Sequence, residues 1–446
     1  MSTDSQQRGE PAAGSLSAGG MSHAWRALRH RNFRLFFGGQ SISLIGTWMT
    51  RVATSWLVYR LTKSSLLLGT VGFAGQIPTF LLAPLAGVIV DRMDRRKVLV
   101  WTQTLAMAQS LLLAWLTLSH RITIAEVLVL SSLQGVINAF DMPGRQSFMI
   151  RMVEDRADLS NAIAINSSMV NVARLIGPSL AGILIAATNE GWCFLVDGVS
   201  YIAVIASLLM MRVSHEKLEA HGTTMMEQLR QGWVYVSSSL PIRSILMLFA
   251  LLSLMGWPFM VLMPIFAAQV LKGGPHTLGF LMGAVGVGSL ISALALVVRR
   301  SVRGLLKIIP IGAAVFGTGL IAFGLSHNLW LSLPMMLVTG FGMMQGLTTS
   351  NTILQTLVDE KMRGRVMSYY TMAFVGMAPF GSLLAGAMAH ALGAPRTVIV
   401  SGFACIAGSL WFWSRMRRIR ADMRPIYERL GLIPRREPLA EEAAQS

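Results

Sequence analysis

Long apolar runs recur along almost the entire chain, and they constrain its fold more than any other feature. A helix of about 20 mostly apolar residues is long enough to cross the hydrocarbon core of a bilayer. The pattern predicts an all-α membrane protein with twelve transmembrane helices. They cover residues 34–59, 65–90, 98–118, 123–142, 162–187, 192–212, 243–270, 276–298, 305–325, 329–350, 366–390 and 395–414.

The composition agrees with a membrane protein and disfavours the soluble classes. Charged residues make up only 13% of the 446 residues, against roughly a quarter in soluble domains. The net charge of +17 does not indicate a nucleic-acid partner, because the basic residues lie between the apolar runs. Cys193 and Cys405 each lie within an apolar run, and no Cys or His spacing matches a metal site, so no metal or cofactor is expected.

The basic residues are strongly biased to one side of the predicted membrane. Of the 38 Lys and Arg residues, 31 fall before the first span, in the even-numbered loops or in the C-terminal tail. Five fall in the odd-numbered loops, and two, Arg51 and Arg174, lie well inside spans, where residues within three positions of a span's end are counted with the adjacent loop. Because basic loops stay on the cytoplasmic side, both termini are predicted to be cytoplasmic, in a multi-pass protein of the cell (inner) membrane.

The longest internal loop divides the chain into two halves of six spans each. The predicted units are a disordered N-terminal tail (1–21), an N-terminal half (22–212), a central cytoplasmic loop (213–242), a C-terminal half (243–415) and a basic cytoplasmic tail (416–446). The arginines of that tail are suited to contact the anionic lipids of the bilayer.

The two halves also resemble each other in sequence. Gly177-Pro178-Ser179-Leu180-Ala181-Gly182 aligns with Gly381-Ser382-Leu383-Leu384-Ala385-Gly386 at an offset of 204 residues. Both copies follow a cytoplasmic loop, so the halves have the same orientation in the membrane. The sequence therefore predicts parallel repeats, related by an axis along the membrane normal.

The loop between the second and third spans carries the most specific motif. Residues 87–97 read Gly-Val-Ile-Val-Asp-Arg-Met-Asp-Arg-Arg-Lys. This loop resembles the G-x-x-x-D-R-x-G-R-R signature of the major facilitator superfamily, with Asp94 in place of the second Gly. Segments 56–64, 140–146 and 173–178 are similar to the branch that includes enterobactin exporters. The resemblance implies two six-helix halves that rock about a midplane binding site, in a protein that works as a monomer.

The resemblance also implies a conformational gate at this loop. Its residues would be Gly87, Asp91, Arg92 and Arg95. In the family, the Asp faces the N-terminal end of the eleventh span, here near Arg365, where a carboxylate meets the positive end of a helix. A second interpretation, favoured for Arg96 and Lys97, is that the basic residues only set the topology.

Two other motifs bear on transport direction and coupling. Gly177, Pro178 and Gly182 in the fifth span resemble a shortened form of the motif of exporting antiporters in the family. Ordinary packing of Gly and Pro in membrane helices explains these residues equally well. In the fourth span, Ser131 stands where many drug antiporters of the family carry an arginine linked to proton handling. Proton coupling by that route is therefore left open.

Polar side chains within the spans mark the candidate substrate and coupling sites, because ionisable groups in a bilayer usually face a cavity or a partner. The candidates are Arg51, Arg174, Asp197, Asp141, Gln134 and Asn138. In the family, spans one, four, seven and ten line the cavity, which favours Arg51 for substrate contact. An ion pair between Arg174 and Asp197 that only fixes helix packing is an open alternative. Two intramembrane arginines favour a neutral or anionic substrate over a cationic one.

These features together predict a secondary active transporter and not an enzyme. No HExxH or GxSG sequence and no GxxxxGK[ST] loop occurs in the chain. The resemblance implies a proton-coupled exporter of a small amphipathic molecule, either a siderophore or a drug-like compound. Import of a small metabolite is the alternative that the sequence leaves open.

Overall fold

The computed structural model describes residues 26–149, 152–153, 155, 158–211, 225–297 and 304–429. Within these residues every regular element is a helix, in agreement with the predicted all-α class. The predicted N-terminal tail (1–21), residues 212–224 of the central region and residues 430–446 of the predicted C-terminal tail lie outside the described residues.

Six α-helices build the described part of the N-terminal half. A short 3-10 helix (Arg26–Arg29) precedes α1 (Arg31–Thr62), α2 (Ser65–Arg92), α3 (Arg95–Leu118), α4 (Ile124–Met149), α5 (Leu159–Ala187) and α6 (Glu190–Met210). Polar side chains begin several of these helices. The Ser64 hydroxyl accepts from the Leu67 N–H of α2, and the Asn189 side chain accepts from the Gly191 N–H of α6. Such N-caps satisfy amide groups that the first helical turn leaves unpaired.

The C-terminal half repeats this order with more irregular helices. After α7 (Met225–Ser238) come α8 (Leu240–Leu251), α9 (Phe259–Ile265), α10 (Pro275–Val297), α11 (Leu305–Leu325), α12 (Leu329–Leu357), α13 (Glu360–Phe374), α14 (Ala378–Leu392) and α15 (Ala394–Arg429). Two π-helical segments, Leu252–Gly256 and Phe266–Val270, join with α8 and α9 in one long span. Pro258 and Pro264 lie beside these segments. Because proline lacks an N–H group, each removes a hydrogen bond that would keep the helix regular.

The eleventh predicted span is divided into α13 and α14 by a turn at residues 375–377. Pro379 lies in the first turn of α14 and accounts for the division, because proline disfavours a helix that continues through the preceding turn. The hydroxyl of Ser253, in the first π-helical segment, donates to the Phe374 carbonyl at this break. A side chain of one irregular span therefore satisfies the backbone of another, as the interior of a membrane protein requires.

Ten helical spans within the described residues are long and apolar enough to cross a membrane. The two predicted spans outside this set are α1 and α12. Four arginines in α1, and many Ser and Thr residues in α12, lower the mean hydropathy of these two helices. The structure thus agrees with a multi-pass membrane protein, and the count of twelve spans stays a prediction.

The hydrophobic core differs between the two ends of the molecule. We call the end where the described chain begins and ends the terminal end, and the other the opposite end. At the opposite end one continuous core joins both halves, including Leu68 and Ala181 of the first half and Leu281 and Ala385 of the second. At the terminal end each half has its own core, with Phe33 and Phe148 in the first and Ile309 and Phe412 in the second. In the described part of the chain, the cores of the two halves therefore join at the opposite end and are separate at the terminal end.

Two segments at the terminal end extend the C-terminal half beyond its predicted bounds. Helix α15 continues through Arg429, so the first part of the predicted basic tail (416–446) is helical, and its apolar side chains are buried against this half. Helix α7 lies within the predicted central loop (213–242). Its Trp233 packs on Tyr369 of α13 with the ring centres 6.0 Å apart. Both segments are thus attached to the C-terminal half.

Candidate functional site

The two halves meet chiefly along two helix crossings, α5 with α10 and α2 with α14. In the first crossing, a Cβ atom at Gly182 would lie 2.7 Å from the Pro275 carbonyl oxygen and 2.9 Å from the Gly279 Cα. In the second, a Cβ atom at Gly386 would lie 2.9 Å from the Gly69 Cα. Each crossing therefore depends on two glycines that let the backbones approach closely, and both lie toward the opposite end.

The aligned glycines of the sequence repeat make equivalent contacts in the two halves. Gly177 packs α5 on α1, where a Cβ atom would lie 2.5 Å from the Trp48 Cβ. Gly381, its aligned partner, packs α14 on the first π-helical segment, where a Cβ atom would lie 2.6 Å from the Leu254 carbonyl oxygen. The repeat thus corresponds to the same crossing of the fifth span with the first and of the eleventh with the seventh.

Toward the terminal end, the helices of the two halves that meet at these crossings move apart. On α2, a Cβ atom at Gly87 would meet nothing within 4 Å. On α10, Leu294 is exposed, and on α5 the hydroxyl-bearing side chains of Ser167 and Ser168 are exposed. Exposed polar groups at this depth of a membrane helix face water in preference to lipid. Among the described residues, the halves are therefore closed against each other at the opposite end and open at the terminal end.

Two of the predicted site residues, Arg51 and Arg174, lie together near the middle of the membrane. Arg51 is eleven residues before the end of α1, and Arg174 is thirteen before the end of α5, which is about 17 Å and about 20 Å of helix. The Cζ atom of Arg51 lies 4.7 Å from the ring centre of Trp48, and that of Arg174 lies 5.3 Å from the same centre. The two guanidinium groups are thus at most 10 Å apart, and at an effective dielectric constant of about 20 they repel each other by roughly 2 kcal/mol or more.

No acidic side chain of the described residues forms an ion pair with either arginine. The Nε and Nη1 atoms of Arg174 are buried without a hydrogen-bond partner. The ion pair predicted as an alternative between Arg174 and Asp197 is therefore wrong in this structure. The pair does not form because the rotation of α6 directs the Asp197 carboxylate toward α1 and α3.

Asp197 is held by hydroxyl groups and has no cationic partner in the described part of the chain. Its Oδ2 atom accepts from the Thr50 hydroxyl of α1 at 2.9 Å and from the Ser110 hydroxyl of α3 at 3.2 Å. Its Oδ1 atom is buried without a partner, and a Cβ atom at Gly46 would lie 2.8 Å from it. A buried carboxyl group in this setting is costly and is typical of a functional position.

Asp141, by contrast, has its hydrogen bonds satisfied. It accepts from the Thr102 hydroxyl at 3.0 Å and from the Gln103 amide at 2.7 Å, and it forms an ion pair with Arg145 one turn along α4. These contacts fasten α3 to α4 in the terminal half of the bundle. They favour a packing role for Asp141 over a role in proton transfer.

The remaining predicted polar pair lies on α4. The Gln134 side-chain amide donates to the Asn138 side-chain oxygen at 3.2 Å, and both side chains are partly exposed. Gly135, next to them, packs closely on the Gly75 carbonyl of α2. The pair is therefore positioned by the α2–α4 crossing and is partly accessible to water.

The signature loop is a two-residue turn between α2 and α3. The carboxylate of Asp94 accepts from the N–H groups of Arg96 and Lys97, which makes it the N-cap of α3 and explains why Asp is suited to this position. The Arg96 guanidinium donates to the Leu209 carbonyl at the end of α6. Asp91 lies in the last turn of α2, and its side chain lies outside the described part of the structure. The predicted gate of Gly87, Asp91, Arg92 and Arg95 stays a prediction.

Sequence reasoning missed the neighbours that give the charged residues their surroundings. Trp48 lies under both arginines, and Thr50 and Ser110 bind Asp197. No local pattern distinguishes these residues from other polar or aromatic residues in a span. Gly69 and Gly279 were also missed, although a signal exists: each follows a leucine near the start of its span, at an offset of 210 residues.

A sequence profile described as transmembrane secretion effector matches residues 22–432. The staphyloferrin A transporter of Staphylococcus aureus is 25% identical over 391 residues, which are 87% of this chain and 98% of that protein. The multidrug efflux pump Tap of Mycolicibacterium fortuitum is 24% identical over 79% of this chain and 88% of its own length. Macrolide efflux protein A of Streptococcus pyogenes is 20% identical over 85% of this chain and 96% of its own.

Solved structures share the fold at low sequence identity. A POT family transporter in complex with 5-aminolevulinic acid superposes with a TM-score of 0.70 at 12% identity, over 87% of this chain and 96% of that one. A bacterial homolog of the human lysosomal transporter Spinster superposes with a TM-score of 0.67 at 12% identity, over 92% of this chain and 99% of that one. These likenesses concern the arrangement of the helices alone.

Proposed function

The chain belongs to the transmembrane secretion effector family of the major facilitator superfamily, and on that premise we propose that it exports a small amphipathic molecule, a siderophore or a drug-like compound. It is a multi-pass transporter of the cell membrane and not an enzyme. Two of the relatives named above are efflux proteins and one is a siderophore transporter, which supports export as the direction and these compounds as the cargo.

The proposal includes twelve membrane spans with both termini in the cytoplasm. Helices α1 and α12 have 32 and 29 residues, which is long enough to cross a bilayer. The charge of α1 is no obstacle, because Arg51 stacks on the indole of Trp48 and the other arginines lie toward the helix ends. The bias of 31 basic residues against five supports cytoplasmic termini.

The efflux relatives support the direction of export, and the observation that carries transport by alternating access is the difference between the two ends. One core joins both halves at the opposite end, and separate cores pack each half at the terminal end. With cytoplasmic termini, this arrangement is an inward-facing state that receives substrate from the cytoplasm. Rocking of the halves about the site between them would release it on the other side. In that outward-facing state, Asp91 and Arg92 would approach the start of α13 and hold the cytoplasmic side closed.

Asp197 is the carboxyl group that we assign to proton coupling. It has no counter-charge in the described structure, and its hydroxyl partner Thr50 is adjacent in sequence to Arg51. Binding and release of a proton at Asp197 would change the α1–α6 contact, and α1 also carries Trp48 and Arg51. Substrate and proton would thus act on the same helix. Asp141 is less suited to this role, because Arg145 already neutralises it.

The first experiment compares the small molecules in the medium of a deletion strain and its parent, with and without iron. For an exporter, one compound falls in the medium and rises inside the deletion cells, and its chemistry identifies the cargo. If the medium is unchanged and an added compound is no longer taken up, the protein is an importer. The fifth-span motif of Gly177, Pro178 and Gly182 is then a packing feature only.

Coupling is tested with the purified protein in proteoliposomes and the compound that the first experiment identifies. Asp197→Asn is expected to abolish transport driven by a pH gradient, while exchange of substrate across the membrane without a gradient continues. Asp422→Asn, at an exposed position of α15, serves as the matched control. Full pH-driven transport by Asp197→Asn would assign the proton to another group.

A further inference from the structure

We propose that Arg51 and Arg174, together with Trp48, form a subsite that binds a carboxylate group of the transported molecule. The inference rests on the proposed function and narrows it, because it gives the substrate class as an organic anion. It concerns residues whose charge nothing in the described protein neutralises.

The first argument is the absence of a counter-charge among the described residues. Two guanidinium groups lie over one indole ring, at 4.7 and 5.3 Å from its centre, near the middle of the membrane. A cation at this depth is costly, and such groups persist where a partner or a ligand compensates them. Asp197 and Asp141 are both occupied with other groups. No described residue supplies the compensating anion, and a bound substrate could supply it.

A second argument comes from the hydrogen-bond donors of Arg174. Its Nε and Nη1 atoms are buried without an acceptor. On α1, Arg60 shows the pairing that Arg174 lacks: its Nε donates to Glu190 Oε1 at 2.7 Å and its Nη2 to Oε2 at 3.1 Å. A guanidinium fork matches the two oxygens of a carboxylate in this way. The unpaired donors of Arg174 are suited to a carboxylate of a ligand.

The third argument is the position of the pair relative to the opening between the halves. The backbone of Arg174 lies at the α5–α10 crossing, where a Cβ atom at Gly286 would be 3.2 Å from its carbonyl oxygen. Closer to the terminal end on α5, Ser167 and Ser168 are exposed, and the side chain of Arg51 is also exposed. The subsite therefore lies where the opening meets the closed part of the bundle, at the depth expected for a transporter's substrate.

The surroundings of the two arginines favour an organic anion over an inorganic one. The Trp48 indole is almost fully covered and gives both cations an apolar setting, which suits an organic molecule with a carboxylate more than a hydrated inorganic ion. The two guanidinium groups are at most 10 Å apart, so one molecule with more than one carboxylate can reach both. Cationic compounds are disfavoured, because both side chains repel them.

The test measures equilibrium binding to the full-length protein in lipid nanodiscs, at constant ionic strength. The probe is radiolabelled citrate, and the competitors are unlabelled citrate, its uncharged trimethyl ester and sulfate. We expect saturable citrate binding that unlabelled citrate displaces and the ester and sulfate do not. Arg51→Gln and Arg174→Gln are each expected to weaken it about tenfold or more. Arg174→Lys keeps the charge but loses the two-pronged guanidinium group. Its affinity for citrate is expected to lie between those of Arg174→Gln and the unchanged protein.

Arg396→Gln, at an exposed position near the start of α15, is the matched control and should bind citrate normally. Monodisperse gel filtration and an unchanged thermal midpoint establish that each variant is folded. Absence of citrate binding, equal competition by the ester or sulfate, or full binding by Arg174→Gln would overturn the proposal. Equilibrium binding needs no pH gradient and does not depend on the direction of transport. A protein that imports its substrate would still bind citrate, so failure of the export proposal and failure of this subsite are distinguishable.

Discussion

The two halves of the protein share their helix crossings and differ in their chemistry. Glycines at aligned positions, Gly182 and Gly386, bring the fifth and eleventh spans against the other half in the same way. The first half carries Arg51, Asp141, Arg174 and Asp197 inside its spans. Stretches 308–358, 366–395 and 397–414 of the second half contain no Asp, Glu, Lys or Arg.

The C-terminal half has an irregular backbone in its seventh and eleventh spans, and the corresponding first and fifth spans of the N-terminal half carry the charged residues Arg51 and Arg174. Its seventh span contains two π-helical segments, and its eleventh is divided by a turn, whereas α1 and α5 are continuous. Position 378, aligned with Arg174, is an alanine that begins α14. The comparison indicates that one half supplies the binding chemistry and the other supplies helices that deform easily, on a scaffold that is otherwise repeated.

The largest loss of transport is expected from substitutions at the aligned glycines that the two halves share. Gly182→Leu and Gly386→Leu should each reduce transport by about 100-fold or more, because a side chain there overlaps the backbone of the other half. Transport in proteoliposomes measures the loss. Gly38→Leu is the matched control, since a Cβ atom at this position meets nothing within 4 Å. Normal transport by only one of the two crossing variants would show that the crossings are not equivalent.

A smaller effect, on the free energy of unfolding, is expected for Asp141, a charged residue of the first half that has an ion-pair partner. Asp141→Asn leaves the Arg145 guanidinium unpaired and should lower the free energy of unfolding by about 2–3 kcal/mol. Asp197→Asn, which removes no cationic partner, should change it by less than about 1 kcal/mol. Unfolding by SDS titration compares the two variants. Equal losses would mean that Asp197 is as structural as Asp141, and the double variant Asp141→Asn with Arg145→Gln should recover part of the loss.

The irregular backbone of the second half is tested by Ser253→Ala. The substitution removes the hydroxyl group that donates to the Phe374 carbonyl and should cost about 1–2 kcal/mol of unfolding free energy. Ser414→Ala, whose exposed hydroxyl bonds only within its own turn of α15, is the control and should cost nothing measurable. If the two variants are equally stable, the break between α13 and α14 does not depend on the seventh span.

The smallest effect is expected at the start of α3. Asp94→Ala removes the N-cap and should cost about 1 kcal/mol, while Asp94→Asn should cost only a few tenths of that. At the equivalent position of the second half, Gly304 begins α11 with a φ of 81°, so Gly304→Ala should also cost about 1 kcal/mol, through backbone strain. The same unfolding assay measures both. An Asp94→Asn variant as unstable as Asp94→Ala would show that the charge matters more than the cap.

Much of the fold was predictable because its signals are local. The spans from 65–90 to 305–325 were located within a few residues, except that the helix of the fourth continues seven residues past its predicted end, to Met149. An apolar run favours the bilayer through its own transfer free energy, wherever it lies in the chain. The division of the eleventh span was not predicted, although Pro379 is visible in the sequence, because many membrane helices contain proline without a break. The helical extension of α15 to Arg429 was also missed. Its polar residues hide a stripe of Met416, Ile419 and Met423 that packs only in the folded protein.

The candidate site was predictable as a set of residues and not as an arrangement. Hydropathy identified Arg51, Arg174, Asp141 and Asp197, because each is costly in a bilayer. It gave no means to pair them, and the expected contact between Arg174 and Asp197 is absent from the described structure.

The sequence by itself determined that this chain crosses a membrane many times, which side its basic loops favour and which family it belongs to, because each rests on the type and spacing of residues. Only the tertiary structure decided which charges meet. The rotation and tilt of each helix place Asp197 against Thr50 and Ser110, and Arg174 against Trp48. Those angles depend on glycine contacts between distant spans, so they follow from the packing of the whole bundle and from no single span.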